Sequence, residues 1–404
     1  MAKSAKKIEE NFLTSNVFTF ESYACKCKKD IVYSNLTGEA ESAIKITEDR
    51  DRMVRFAFGS KVGLVRINND GSIAESNLLG KLISIDKSDL SNYFNFFKEN
   101  GFLIPVSGKT SDVITQSELI CIINRLQATL ELMSTITDMS RTSYEKIVRM
   151  IFFHLFSPVV EIETKDGGYK YVSARRSYVK FLEEHKEDKQ DDRLNDTFNN
   201  AKFEFEDTVS KISIESELVD SVLKGQTDDV RFDNTILGDV FHVYCSSRDG
   251  KSKTMLHIND FVFHYLYEVG VVEHVDLERT YYLNNEIHKE NFSTILKSRA
   301  VEIARYIIRD EIELNLRRVR PTYNISELEP TWKIDSLLSA LYFGLFYMRP
   351  NMETYRRCAN PKCSNFFLVP ISSQKKKYCS KVCMNREMAA RKRARDKINE
   401  TRNK

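Results

Sequence analysis

Four cysteines near the end of this 404-residue sequence carry its clearest chemistry. Cys358, Cys363, Cys379 and Cys383 follow the pattern C-x4-C-x15-C-x3-C. Two close pairs joined by a short connection can set four thiolates at the corners of a tetrahedron, and thiolates are soft donors that suit Zn²⁺. Four protein ligands leave no open coordination position, so the expected site is structural, not catalytic. The other four cysteines (Cys25, Cys27, Cys121 and Cys245) are scattered, so clustering of half the total favours metal ligation in a reducing compartment over disulfides. A unit this small has little core, and the ion would supply much of its folding free energy. The local expectation is a turn at Pro361, a strand over Phe366 to Val369 and a return strand ending at Tyr378. The second cysteine pair would lie on one face of a starting helix, with Phe366, Phe367 and Tyr378 packed around the site.

A basic segment follows. Ala, Met, Arg and Lys after Cys383 are good helix formers, so the spacing predicts a helix leading out of the metal site. Arg386, Arg393 and Lys397 fall on roughly one side of it, with Arg391, Lys392 and Arg395 spread over the rest, and Lys381 stands at its start. Lys375, Lys376 and Lys377 add charge just before Cys379. Residues 351–404 carry a net charge of +11, which leaves −8 on the preceding 350 residues. A basic tail on a mildly acidic body points to nucleic acid, through counterion release at phosphates and through Arg contacts to guanine in the major groove. The competing expectation is a solvated tail, or one that docks on the acidic body.

The residues Arg356-Arg357-Cys358-Ala359-Asn360-Pro361-Lys362-Cys363, then Phe366-Phe367-Leu368, Lys377-Tyr378-Cys379-Ser380 and Cys383-Met384-Asn385-Arg386, resemble the CGNR-type zinc finger. That finger usually stands at the C-terminus of bacterial proteins described as stress-induced transcription regulators. Here Met384 replaces the usual glycine of the naming motif. The resemblance implies a zinc-dependent DNA-binding finger, with Cys358, Cys363, Cys379 and Cys383 as ligands and Asn385 and Arg386 in the motif. It covers 50–70 residues and implies nothing about the activity of the body.

Other signals are weaker. Glu161-Ile162-Glu163-Thr164-Lys165 ends in an acid-x-Lys triplet, but no further carboxylate is identifiable, so an exposed strand face is expected. The seven histidines form no ligand pattern, and His154 and His264 sit in aromatic runs as core residues. Cys25-Lys26-Cys27 is too close for an easy disulfide. No phosphate-loop, dinucleotide or nucleophile-elbow motif is present.

The elements that must position these groups are mixed. Hydrophobic residues at 42% and charged residues at 29% are ordinary globular values, so most of the chain should bury a core. Strands are expected over Met53–Phe58, Val62–Ile67 and Phe102–Val106, with a turn at Asn69-Asp70-Gly71. Helices are expected over Leu90–Asn100, within 115–156, and over Phe292–Arg318. Hairpins are expected at Asp166-Gly167-Gly168, between Val159–Ile162 and Tyr169–Val172, and at Asp249-Gly250, between Val240–Cys245 and Thr254–Ile258. Trp332–Met348 is too short to span a bilayer and reads as a buried core helix.

The fold class is therefore α+β. The expected division is an α+β domain over 1–182, a linker over 183–197, an α+β to helical domain over 198–350 and the finger over 351–404, treble-clef-like with a hairpin and a helix. With no apolar signal core after Lys6-Lys7, a cytoplasmic protein is expected, with DNA and not a membrane as partner. The body would sense a small effector or bind a protein, and a homo-oligomer stays open. The alternatives are a nucleic-acid-targeted enzyme or defence effector, and an interaction module with a structural zinc cap.

Overall fold

The computed structural model describes residues 16–59, 62–68, 70–106, 111–137, 143–165, 168–173, 175–191, 202–233, 235–325, 328–348, 353–363, 365–370, 373 and 375–402. It is a mixed α and β structure, consistent with the α+β class. The chain forms two compact units, each discontinuous in sequence. Residues 1–137, 160–172 and 312–404 make the first, and 138–159 and 173–311 the second. They do not follow the contiguous segments expected from the sequence, because strands and helices distant in the chain pack together within each unit.

The first unit is built on a five-stranded antiparallel sheet. The strands β1 (Asn16–Tyr33), β2 (Ala40–Gly59), β3 (Gly63–Ile67) and β4 (Ile73–Glu75) lie in order, and β5 (Asp112–Thr115) pairs with β2. Alternate residues of β1 and β2 turn inward: Phe18, Phe20, Ile44, Ile46, Val54 and Phe56 are buried, while Thr19, Glu21, Lys45 and Arg55 are exposed. Phe20 stacks on its cross-strand partner Phe56 at 4.6 Å. The pairing jumps from Tyr23↔Met53 to Ala24↔Asp49, so Arg50, Asp51 and Arg52 bulge out. That charged bulge hides the long hairpin from a pattern search, which finds only Met53–Phe58.

Phe102–Val106 is not a strand. Gly101 (φ 77°) ends the helix Phe94–Asn100, and the Leu103 carbonyl accepts the Leu338 N–H at 2.9 Å. Its partner is thus the N-terminal turn of the helix Leu337–Tyr347, whose orphan donors need acceptors, and not a neighbouring strand. That helix is buried as expected; Trp332 lies before it, in the strand Glu329–Lys333. Gln116–Thr137 is long and apolar enough to cross a membrane, yet Leu119, Ile123, Leu126, Leu130 and Leu132 are buried inside the unit. The hairpin Glu161–Glu163 with Lys170–Val172 forms, with Glu161 and Glu163 exposed and Ile162 buried; Asp166 and Gly167 of its turn, like Asn69, lie outside the described residues.

The second unit is mainly helical. Val240–Cys245 and Thr254–Ile258 are not strands of a hairpin but parts of the helices Ile236–Cys245 and Lys253–His264, and Gly250 (φ 74°) turns between them. Short apolar runs fit either period. Burial decides: Leu237, Val240, Phe241 and Tyr244 share a helical face, and Tyr244 stacks on Phe263 at 4.1 Å. Of the acidic segment 183–197, residues to 191 are described. The helix Arg175–His185 closes there, Gln190 bridges to Ser246, and Asp188 pairs with Lys251 at 3.0 Å. The helix Thr294–Leu316 forms close to where the sequence places one.

His154 and His264 are core residues, as expected. His264 is fully buried with Asp207 Oδ2 2.6 Å from Nε2 and Glu268 Oε1 2.5 Å from Nδ1. Burial opposes its charge, but the two carboxylates prevail and raise it to about 9. With a carboxylate on each nitrogen the imidazolium has no lone pair for general-base work, even though Ser210 Oγ is 3.1 Å away. A raised pKa in the folded state gives stability that is fully present below pH 6.5 and lost as pH rises through about 9. Denaturation midpoints of the chain should therefore fall between pH 7.5 and 10. His264→Gln should lose on the order of 3 kcal/mol at pH 7, by removing the counter-charge of Asp207, whose Oδ1 keeps the Val209 and Ser210 N–H groups, and should flatten that dependence. Equal pH profiles for the two proteins would exclude a charged His264.

Candidate metal centre and basic helix

The finger begins with a hairpin that the sequence reading placed differently. Phe366–Pro370 is a strand, but it pairs with Glu353–Arg357, ahead of the first cysteine, in the register Tyr355↔Leu368. No return strand forms toward Tyr378 among the described residues. The β-branched and aromatic residues on both sides of Cys358 supply the pairing, whereas Lys375-Lys376-Lys377 offers no apolar face.

The connection between the two strands makes a tight knuckle. Asn360 Oδ1 accepts the Lys362 N–H at 3.0 Å, an Asx turn, and the Cys363 N–H bonds back to the Asn360 carbonyl at 2.8 Å. The Asn360 amide then donates to the Cys383 carbonyl at 3.3 Å, tying the knuckle to the helix that carries the second pair. That helix is Lys381–Arg402. Cys379 lies just before it and not on its face. Ser380 caps it, with Oγ accepting the Cys383 N–H at 3.2 Å. Asn360 and Ser380 are positioning residues that the sequence reading missed, although an Asn-Pro step and a Ser before a helix are both recognisable signals.

All four sulfurs meet. Their ligand atoms lie within 4.8 Å of one another; Cys363 and Cys379 are 3.7 Å apart, and Cys379 and Cys383 are 3.5 Å apart. A tetrahedral Zn–S bond of about 2.3 Å puts sulfurs about 3.8 Å apart, so the donor set fits that ion. Burial, then the neighbouring sulfurs, pushes the Cys363 thiol up to about 12. Cys383 is lowered, by the Cys379 thiol and then the Ser380 hydroxyl. Phe367 and Val369 are buried with Cys358, and Tyr378 packs against them. Phe366, expected at the site, instead turns into the body.

Phe366 marks where the body grips the finger. Its N–H donates to Ser84 Oγ at 3.0 Å, and its carbonyl accepts from Asn77 Nδ2 at 2.7 Å. Both groups lie at the ends of the short helix Leu78–Ile83. A Cβ on Gly80 would come within 2.2 Å of the Phe366 carbonyl oxygen, so only glycine permits this approach. Phe58, Leu79, Leu341, Leu345, Tyr355 and Leu368 converge at the same place, joining sheet, helices and finger hairpin in one apolar region. No sequence motif announces it, because Asn77 and Phe366 are 289 residues apart.

The basic residues are placed as follows. Lys375, Lys376 and Lys377 are exposed ahead of Cys379, with Lys376 over the Phe367 ring at 5.4 Å. Lys381, Asn385, Arg386, Arg391, Lys392, Arg393 and Arg395 are exposed on the helix. Arg391 bends back to Glu387, with Nε 2.7 Å from the carboxylate. Lys397 is helical, but its side chain lies outside the described residues.

Residues 355–396 match the CGNR zinc finger family, and the four clustered cysteines lie within that segment. The N-terminal body matches no family. No curated protein and no solved structure matches the chain.

Three outcomes follow for the finger. Cys363→Ser should lose bound metal, measured as ion per chain after gel filtration, and wild-type protein should release its ion on acidification as protons compete for the thiolates. Gly80→Ala should keep all four ligands yet lower the unfolding free energy by about 1–3 kcal/mol and speed metal loss to a chelator, because the Phe366 strand must move. Unchanged chelation kinetics in Gly80→Ala would show that the body does not support the finger.

Proposed function

We propose that this chain is a zinc-dependent DNA-binding protein, with Zn²⁺ as the resident ion at Cys358, Cys363, Cys379 and Cys383 and duplex DNA as the partner of the helix Lys381–Arg402. The ion would act as a structural crosslink, since four thiolates fill a tetrahedral shell. The observation that carries the reading is the exposure of the helix. From Met388 to Asp396 every side chain that is described is exposed, and the helix holds eight Lys/Arg against three Asp/Glu. A helix that buries no apolar face gains little stability from packing. One that begins at a metal site and carries this charge is suited to the major groove, which admits a helix, and to the phosphates that flank it.

The role proposed is regulatory, as the resemblance to the CGNR zinc finger implies, with the body as the part that receives a signal or a protein partner in a cytoplasmic setting; the match itself supports the finger alone. The test is binding of a fluorescent mixed-sequence duplex to the full metal-loaded chain across a salt series. Affinity should fall by orders of magnitude between about 50 and 200 mM salt for six or more neutralised phosphates. Replacing Arg386, Lys392, Arg393 and Arg395 together by Gln should lower the slope of log affinity against log salt by about 0.9 for each phosphate no longer neutralised. Negligible binding by both proteins would assign the basic helix to a protein partner.

A further inference from the structure

The metal site fixes which way the C-terminal helix faces. Cys383 turns toward the other sulfurs, and Glu387, one turn later, is 9% exposed. A residue two positions before either lies about 200° around the helix, which puts Lys381 and Asn385 on the opposite side. Steps of three and four residues continue that outward line through Met388, Lys392 and Arg395. All five are exposed, and Met388 is 60% exposed with no core to fill.

We infer that this outward line reads base edges, while Arg386 and Arg393, about a third of a turn to one side, hold phosphates. The inference rests on the duplex binding proposed above. Its chemistry suits a groove floor. An Asn amide pairs bidentately with adenine, Lys and Arg donate to guanine O6 and N7, and an apolar side chain touches the thymine methyl. From Asn385 to Lys392 the helix rises about 10 Å, roughly three base pairs at 3.4 Å each. The other flank is different. Arg391 is held by Glu387, so the free phosphate-gripping charge on the described part of the helix lies on the Arg386 and Arg393 side.

The experiment selects a preferred site from a random duplex pool with metal-loaded full-length protein. Single variants are then compared on that site and on mixed-sequence duplex, with metal content as the folding control. Asn385→Ala and Lys392→Ala should cut the preference for the selected site roughly tenfold or more. They should leave mixed-sequence affinity within about threefold. Arg393→Ala should weaken both duplexes equally and reduce the salt slope by about one, and Arg391→Ala should do so less. Binding without any preferred site, or preference lost in Arg393→Ala and kept in Asn385→Ala and Lys392→Ala, would overturn the base-reading line and leave duplex binding intact. Failure of the wild-type chain to bind any duplex would overturn both readings.

Discussion

Four sulfur atoms brought within 4.8 Å of one another are the constraint on which the C-terminal part of this protein depends. The finger has almost no core of its own: Cys358, Phe367 and Val369 are its buried cluster, and outside its helix a two-stranded hairpin, one knuckle, a turn at Lys376 and the Ala359 N–H to the Lys377 carbonyl at 2.8 Å carry its backbone bonds among the described residues. Isolated hairpins are marginal in water. A cation bound by four thiolates makes the knuckle, the connection and the first turn of the helix one object. The Asn360 bond to the Cys383 carbonyl and the Ser380 cap then set the angle at which the helix leaves. Burial and the neighbouring sulfurs favour the protonated Cys363 thiol, so a cation that binds there must displace its proton.

The second constraint is the clamp on Phe366. An edge strand presents unpaired N–H and carbonyl groups that must find partners. Here a helix from the body supplies both, through Ser84 and Asn77, and Gly80 between them lets the strand come close. The finger is therefore packed into the first unit and is not a bead on a tether. A body that holds the finger this way also holds the start of the basic helix, which gives events in the first unit a physical route to that helix.

The second unit holds a buried ionic cluster at His264, where Asp207 and Glu268 occupy both ring nitrogens. That arrangement is stabilising chemistry. It ties the helix Lys253–His264 to the loop carrying Asp207 and spends the imidazole on two carboxylates, which leaves it unsuited to activating the nearby Ser210 hydroxyl.

The metal site and the basic helix were legible in the sequence because their chemistry is local: ligand spacing, helix propensity and charge act over a few residues. Cys358, Cys363, Cys379 and Cys383, the long helix from Thr294 and the buried helix after Ser336 all announce themselves this way. What the residues alone determined was the ligand set, the charge and the mixed composition of the body. Only the tertiary structure decided the rest. It turned Val240–Cys245 from strand to helix, because burial arbitrates where both periods fit. It paired Phe366–Pro370 with Glu353–Arg357, sent Phe366 into the body, and joined residues 289 positions apart. Such choices depend on which surfaces remain to be covered once the chain has collapsed, and a linear pattern does not contain that.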